Sequence, residues 1–245
     1  MKMRYSGSKK NIIKHIVPFL YEHLNGNNYY IEPFVGGCNS FSAVSYDKKI
    51  GYDSNPYVIE MWKHFQMGGK PIMDLTEKEY YDIKNDYINK SLKYPYWVIG
   101  YVGNACSYGS AWFNGYAKFN EKRKENHILE SYNGTLRQIE NFKFFKESSF
   151  ICNDYSNIEV PKGSVIYCDP PYEGTKGYMD GNFDSKSFWD WCIRKKEEGC
   201  HVYVSEYNAP EMFTCIWQKE KHDGMGTTKL NNRQNIKIEK LFTLL

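Results

Sequence analysis

The chain has 245 residues, 41% of them hydrophobic and 25% charged, enough to bury a core in one large domain, or in a core domain carrying an insertion, without covalent staples. A formal net charge of +3 excludes a polyanion partner announced by bulk charge. Seven scattered cysteines, with no C-x-x-C pair and no zinc-type His/Cys spacing, exclude a disulfide framework and predict free thiols in a reducing, cytoplasmic setting without a metal.

The basic N-terminus, MKMRYSGSKKNIIKH, lacks the apolar run of a signal peptide, and no segment reaches membrane-spanning length, so a soluble chain is expected. Taken alone, Tyr5 is an ordinary packing aromatic and Lys9 a solvated base. YYIEPFVGGCNSFSAV (Tyr29 to Val44) predicts a short strand, a glycine turn and a helix opened by Asn39 or Ser40. Gly36 and Gly37 permit a sharp turn and close approach to a ligand, toward which the helix's positive end would point. A lone glycine pair is more often only a tight turn.

KIGYDSNPYVIEMWKHF repeats the pattern, with a strand ending at Asp53 and a helix capped by Asn55 with Pro56 in its first position. Nucleotide-binding folds place an acid about 20 residues beyond the glycine loop, against ribose hydroxyls. The two strand and helix units imply a parallel sheet. GGCN is not G-x-G-x-x-G, because Cys38 and Asn39 stand where further close approach is needed. The pattern therefore fits an adenosine ligand without pyrophosphate, of which S-adenosylmethionine is the common one.

Residues 68–146 read differently. LTEKEYYDIKNDYINKS is the one clear helix, opened by a capping box of Thr76 and Glu79. YVGNACSYGSAWFNGYAKFNEKRKEN, rich in Gly, Asn and aromatics, predicts an exposed hairpin or loop rather than core. Its cluster of Lys118, Lys122, Arg123 and Lys124 is suited to phosphate contacts, although a solvated face is the plainer reading. From Phe150 the α/β pattern returns, with GSVIYCDPPY as a strand and its exit, and SFWDWCIRKKEEG as a helix capped by Ser187 and closed by Gly199. CHVYVSEYNAP follows as a strand, and a final hairpin comes from the tail. The expected core is thus 1–67 with 147–245, interrupted by an insertion over 68–146.

Asp169-Pro170-Pro171-Tyr172 is the sharpest signal. Two prolines remove two backbone donors and fix two φ angles, so the strand must stop there. An exocyclic base amine is a poor nucleophile because its lone pair is delocalised into the ring, and attack on an activated methyl requires it to pyramidalise. The Asp169 carboxylate and the Pro170 carbonyl can accept its two N–H groups and favour that geometry. Tyr172 offers a face on which a base turned out of a duplex can stack.

DPPY, together with EPFVGG (Glu32 to Gly37) and RYSGSK (Arg4 to Lys9), resembles the Dam-type DNA adenine N6-methyltransferases, in the same order along nearly the whole chain. The resemblance implies a Rossmann-like S-adenosylmethionine-dependent fold with a mainly helical or loop target-recognition insertion, acting on double-stranded DNA. It implies cofactor contacts at Tyr5, Lys9, Phe34, Gly36, Asp53 and Asp169, and catalysis by Asp169, Pro170, Pro171 and Tyr172. DNA contacts are implied at Asn104, Tyr108, Asn114, Lys118, Lys122, Arg123 and Lys124. Departures occur at Cys38, in place of a third loop glycine, and in the arginine-poor tail around Asn232, Arg233 and Lys237. Cytosine C5 methylation is set aside because no Pro-Cys dipeptide occurs. Cytosine N4 methylation, RNA amine methylation and an inactive DNA-binding homologue remain alternatives.

Overall fold

The computed structural model describes residues 3–9, 12–171, 183–222 and 236–245. Its helices are α1 (Ile13–Tyr21), α2 (Pro56–Gln66), α3 (Glu77–Asn89), α4 (Tyr96–Ala105), α5 (His127–Glu140) and α6 (Ser185–Glu197). The strands are β1 (Tyr30–Glu32), β2 (Lys49–Asp53), β3 (Ser149–Cys152), β4 (Val165–Cys168), β5 (His201–Glu206), β6 (Thr214–His222) and β7 (Ile236–Thr243). They form a seven-stranded sheet in the order β3-β2-β1-β4-β5-β7-β6, a Rossmann-like layout with an antiparallel hairpin at one edge. The chain groups into two compact units, Met1–Val17 with Glu32–Ile158, and Pro18–Ile31 with Glu159–Leu245. Among the described residues, no helix is long and apolar enough to cross a membrane.

In the first unit, β2 and β3 run parallel, with Ile50 through Asp53 opposite Ser149 through Cys152. Helix α2 starts as its sequence dictates: the Asn55 side chain accepts from Tyr57 N at 3.0 Å, with Pro56 in the first turn. It buries Val58, Ile59, Met61, Trp62 and Phe65, each such side chain contributing roughly 1.5–3 kcal/mol. The Trp62 ring stacks on Phe150 of β3 at 6.1 Å. The capping box of α3 forms in both directions, Thr76 Oγ1 accepting from Glu79 N at 3.2 Å and Glu79 Oε2 from Thr76 N at 2.8 Å.

Three sequence expectations fail in this unit. The helix after the glycine loop is a single 3₁₀ turn, Phe41–Ala43. Ser40 does not cap it, because its hydroxyl donates to Glu32 Oε2 at 2.8 Å. The buried Lys49 ammonium takes the carbonyls of Phe41 and Val44 at 3.0 and 2.9 Å, groups that a longer helix would use itself. Secondly, 68–146 contains three α-helices rather than one. Helix α4 is buried continuously from Ile99 to Ala105, so it shows no 3.6-residue periodicity. The inner face of α5 carries Ser131, Gly134, Thr135 and Gln138 beside Ile128, too few apolar residues to read as a stripe.

Thirdly, the stretch expected to be exposed is partly core, since Tyr101, Val102, Ala105, Cys106, Phe113 and Ala117 are buried. Tyr80 of α3 bolts it down, its hydroxyl sharing a 2.8 Å hydrogen bond with Ser107 Oγ and accepting from Gly115 N at 3.1 Å.

In the second unit, β1 and β4 pair in parallel through Tyr30 with Val165 and Ile31 with Ile166. Strand β5 runs parallel to β4 and antiparallel to β7, which pairs with β6; of the tail expected to supply a final hairpin, β7 is the strand among the described residues, and its partner β6 precedes that tail. Helix α6 is capped not by Ser187 but by Asp184, whose Oδ1 accepts from Ser187 N at 3.1 Å. Gly199, at φ +91°, follows its end as expected. The buried Tyr167 hydroxyl pairs with Ser205 Oγ across the two strands at 2.8 Å.

Helices α2 and α4 meet backbone to side face at Gly100, where a Cβ would lie 2.1 Å from the Tyr57 carbonyl oxygen. No side chain can yield there, so the helices must separate. Gly100→Ala is expected to lower unfolding free energy by roughly 3 kcal/mol in denaturant titration, whereas Gly109→Ala, where a Cβ meets open space, loses only the roughly 1 kcal/mol of its left-handed φ of +65°.

Candidate active site

The glycine loop leaves β1 and is held from several directions. Gly36 N donates to Asp53 Oδ2 at 3.0 Å, and Asp53 Oδ1 accepts from Asn55 N at 2.9 Å. Trp62 of α2 donates its indole N–H to Gly36 O at 2.8 Å. Gln138 of α5 donates to Gly37 O at 2.9 Å and Cys38 O at 3.1 Å. The loop's turn puts Gly36 at φ +41° and Cys38 at φ +51°, so the position occupied by cysteine demands a conformation that glycine adopts more readily.

The two glycines make room for another part of the protein. A Cβ at Gly36 would fall 2.9 Å from Tyr5 Cε1, and one at Gly37 would fall 2.5 Å from Tyr5 Cβ. Tyr5 therefore lies on the loop, beside the glycines whose lack of a side chain admits it. The 3₁₀ turn does not supply the helix end that the sequence reading invoked. Lys9 is buried, 6% exposed, and its carbonyl accepts from Ile12 N and Ile13 N at the start of α1.

Phe34 leans against Tyr155 with ring centroids 5.4 Å apart. Asp53 is half-buried, and burial pushes its carboxyl pKa up to about 6, against the lowering effect of the amides of Asn55 and Gly36. Burial, and next the Asp53 charge, also raise the Cys152 thiol. Among the described residues no group of three or more His, Cys, Asp or Glu could hold a metal ion.

Asp169 follows β4 and is half-buried, Pro170 is buried and Pro171 half-buried. Tyr172 lies outside the described residues, as do Asn232 and Arg233 of the tail. Of the residues expected at DNA, Asn104 is fully buried in α4, where its Nδ2 donates to Gly100 O at 3.2 Å. It is packed as part of the helix scaffold, which corrects the expected surface contact. Tyr108 is exposed, as is Asn114. Lys118 is exposed and pairs with Glu77 at 3.0 Å. Lys122, Arg123 and Lys124 sit together on an exposed turn closed by the Asn120 and Glu125 bridge, where Asn120 Oδ1 accepts from Arg123 N at 3.2 Å.

Sequence reasoning passed over Trp62, Gln138 and Tyr155. The signal for Trp62 is that a buried indole N–H needs an acceptor, whereas Gln138 lies in a helix whose apolar pattern is too weak to place it.

A seven-stranded Rossmann-like sheet whose first strand ends in an acid-anchored glycine loop, and whose fourth ends in Asp-Pro-Pro, defines a methyltransferase fold. The chain belongs to the D12 class N6 adenine-specific DNA methyltransferases, whose family model matches residues 5–218. It is 24% identical over 229 residues to the DNA N-6-adenine-methyltransferase of Escherichia phage P1, covering 85% of this chain and 30% of that one. It is 25% identical over 202 residues to the retron Ec67 DNA adenine methylase of Escherichia coli, covering 74% and 67%. With the DNA adenine methylase of Haemophilus influenzae the identity is 29% over 165 residues, covering 60% and 56%. The chain thus spans between 30% and 67% of these relatives' lengths.

Asp53 ties pH to stability with a definite sign. Its folded value lies above its unfolded one, so its favourable contribution is complete below about pH 4 and lost as pH rises through about 6. Asp53→Asn has no such titration. In urea unfolding, the wild type is expected to lose stability relative to that variant between about pH 4 and about pH 7.

Proposed function

We propose that the chain transfers a methyl group from S-adenosylmethionine to N6 of adenine in double-stranded DNA, after the base has been turned out of the helix. The observation that carries this reading is the Asp169-Pro170-Pro171 exit from β4, the strand paired with β1 where the strand order reverses. Open α/β sheets take their ligands at such a reversal. Family membership and the names of the relatives favour adenine over cytosine.

The residues fit an adenosine ligand without pyrophosphate. Tyr5 already fills the space over Gly36 and Gly37 that a pyrophosphate cradle would leave open. Each Asp53 oxygen accepts one backbone amide, leaving lone pairs for ribose hydroxyls. Tyr5, Lys9, Phe34, Gly36 and Asp53 would hold the nucleoside. When bound, S-adenosylmethionine supplies an electrophilic methyl on a sulfonium.

Asp169 and the Pro170 carbonyl accept the two amine N–H groups and direct the nitrogen lone pair at that methyl. Asp169 or water would take the proton that the amine loses as it accepts the methyl. Pro170 cannot compete as a donor, and Tyr172 would stack on the base. We assign 1–67 with 147–245 to catalysis and 68–146 to target recognition. Tyr108, Asn114, Lys118 and the basic turn are then the DNA contacts.

Incubation with labelled cofactor and unmethylated DNA, followed by nucleoside digestion, is expected to yield N6-methyladenine. Asp169→Ala is expected to abolish the label while leaving the unfolding transition intact, and near-normal turnover would defeat the mechanism. Replacing Lys122, Arg123 and Lys124 together by alanine should flatten the slope of log affinity against log salt by up to about 3 units, with little change in site preference.

A further inference from the structure

We propose that Gln138 is a positioning residue that sets the cofactor loop by clamping it against the N-terminal segment, an inference that rests on the nucleoside-binding role assigned above to Tyr5 and Gly36. Gln138 is 3% exposed. Its Oε1 accepts from Met3 N at 2.9 Å, while its Nε2 donates to Gly37 O at 2.9 Å and Cys38 O at 3.1 Å. All three hydrogen bonds leave α5, and none serves the helix itself.

The two segments they join are those whose contact defines this part of the site. Tyr5 lies two residues beyond Met3, and its ring rests on Gly36 and Gly37. Arg4, between them, reaches the same helix at a second point, its Nη1 donating to His127 Nδ1 at 2.5 Å and to Glu130 Oε2 at 3.2 Å. The N-terminal strand of chain is thus registered along α5, and Gln138 fixes the end nearest the loop.

Chemistry explains why the residue is glutamine. Met3 offers a donor, and Gly37 and Cys38 offer acceptors, so the clamp needs one acceptor and two donors at the tip of a single neutral side chain. Glutamate supplies only acceptors when ionised, lysine only donors, and methionine fills the volume with neither. Only one orientation of the amide satisfies all three partners, so the assignment of its oxygen and nitrogen is fixed by the network.

The test uses the full chain and S-adenosylmethionine. Calorimetric Kd, cofactor KM, DNA KM and kcat are compared for wild type, Q138M, Q138E and, as a control, T135V. Thr135 is buried in the same helix, where it donates to Ser131 O at 2.8 Å and neighbours the Tyr101 hydroxyl of α4.

Q138M is expected to raise cofactor Kd and KM about tenfold, the loss of one to two net hydrogen bonds, with DNA KM unchanged and kcat within about threefold. Q138E keeps the acceptor for Met3 N but turns a carboxylate toward two carbonyls, and should raise both values at least as much. T135V should change neither. A residue that merely stabilised the fold would lower the active fraction, hence kcat, and leave KM alone, so that pattern overturns the proposal. Unaltered cofactor affinity in Q138M overturns it as well, and if Q138E does not fold, Q138M decides. Failure of the wild type itself to bind S-adenosylmethionine overturns the site reading and this inference together, whereas normal wild-type binding with unaltered variants overturns this inference alone.

Discussion

The path of the glycine loop through Gly36 depends on one carboxylate at the end of β2. Asp53 accepts the amide of Gly36 with one oxygen and that of Asn55 with the other. Asn55 in turn caps α2, and α2 returns Trp62 to donate to Gly36 O. Both polar groups of Gly36 are therefore held by one strand end and the helix that grows from it. The circuit keeps a carboxylate in a place where burial raises its pKa to about 6. Each amide contact is worth about 1 kcal/mol net, and more to an ionised acceptor.

That circuit was half legible in the sequence. Asp53, Asn55 and Pro56 occupy consecutive roles at a strand end and a helix start, and local chemistry alone selects them. The return of Trp62 was not legible, because periodicity reports that a residue faces inward without saying what its N–H meets. The same limit applies to the helix expected after the glycines. Asn39 and Ser40 are good caps locally, yet Ser40 is drawn to Glu32 and Lys49 ends the turn. Both partners come from neighbouring strands, so the outcome is tertiary.

Two of the helices in 68–146, which the resemblance implied to be mainly helical or loop, escaped the residue-level reading for a complementary reason. Glycine, asparagine and serine mark loops when the chain is exposed, but they also let helices approach closely. Gly100 allows α4 to meet the Tyr57 carbonyl of α2, and Ser131, Gly134 and Thr135 let α5 pack by its small face. Composition pointed to a loop where close packing had selected the same residues. The basic turn at Lys122 to Lys124, in contrast, was found by charge and is exposed as read.

The contact between Met3 and Gln138 joins positions 135 residues apart. The Tyr5 segment is made before the glycine loop on which it lies, yet its register along α5 is set only once α5 has been synthesised and has folded. Closing so long a loop is entropically slow. The Tyr5 segment thus finds its place late, because its register waits on a helix residue 135 positions further along the chain.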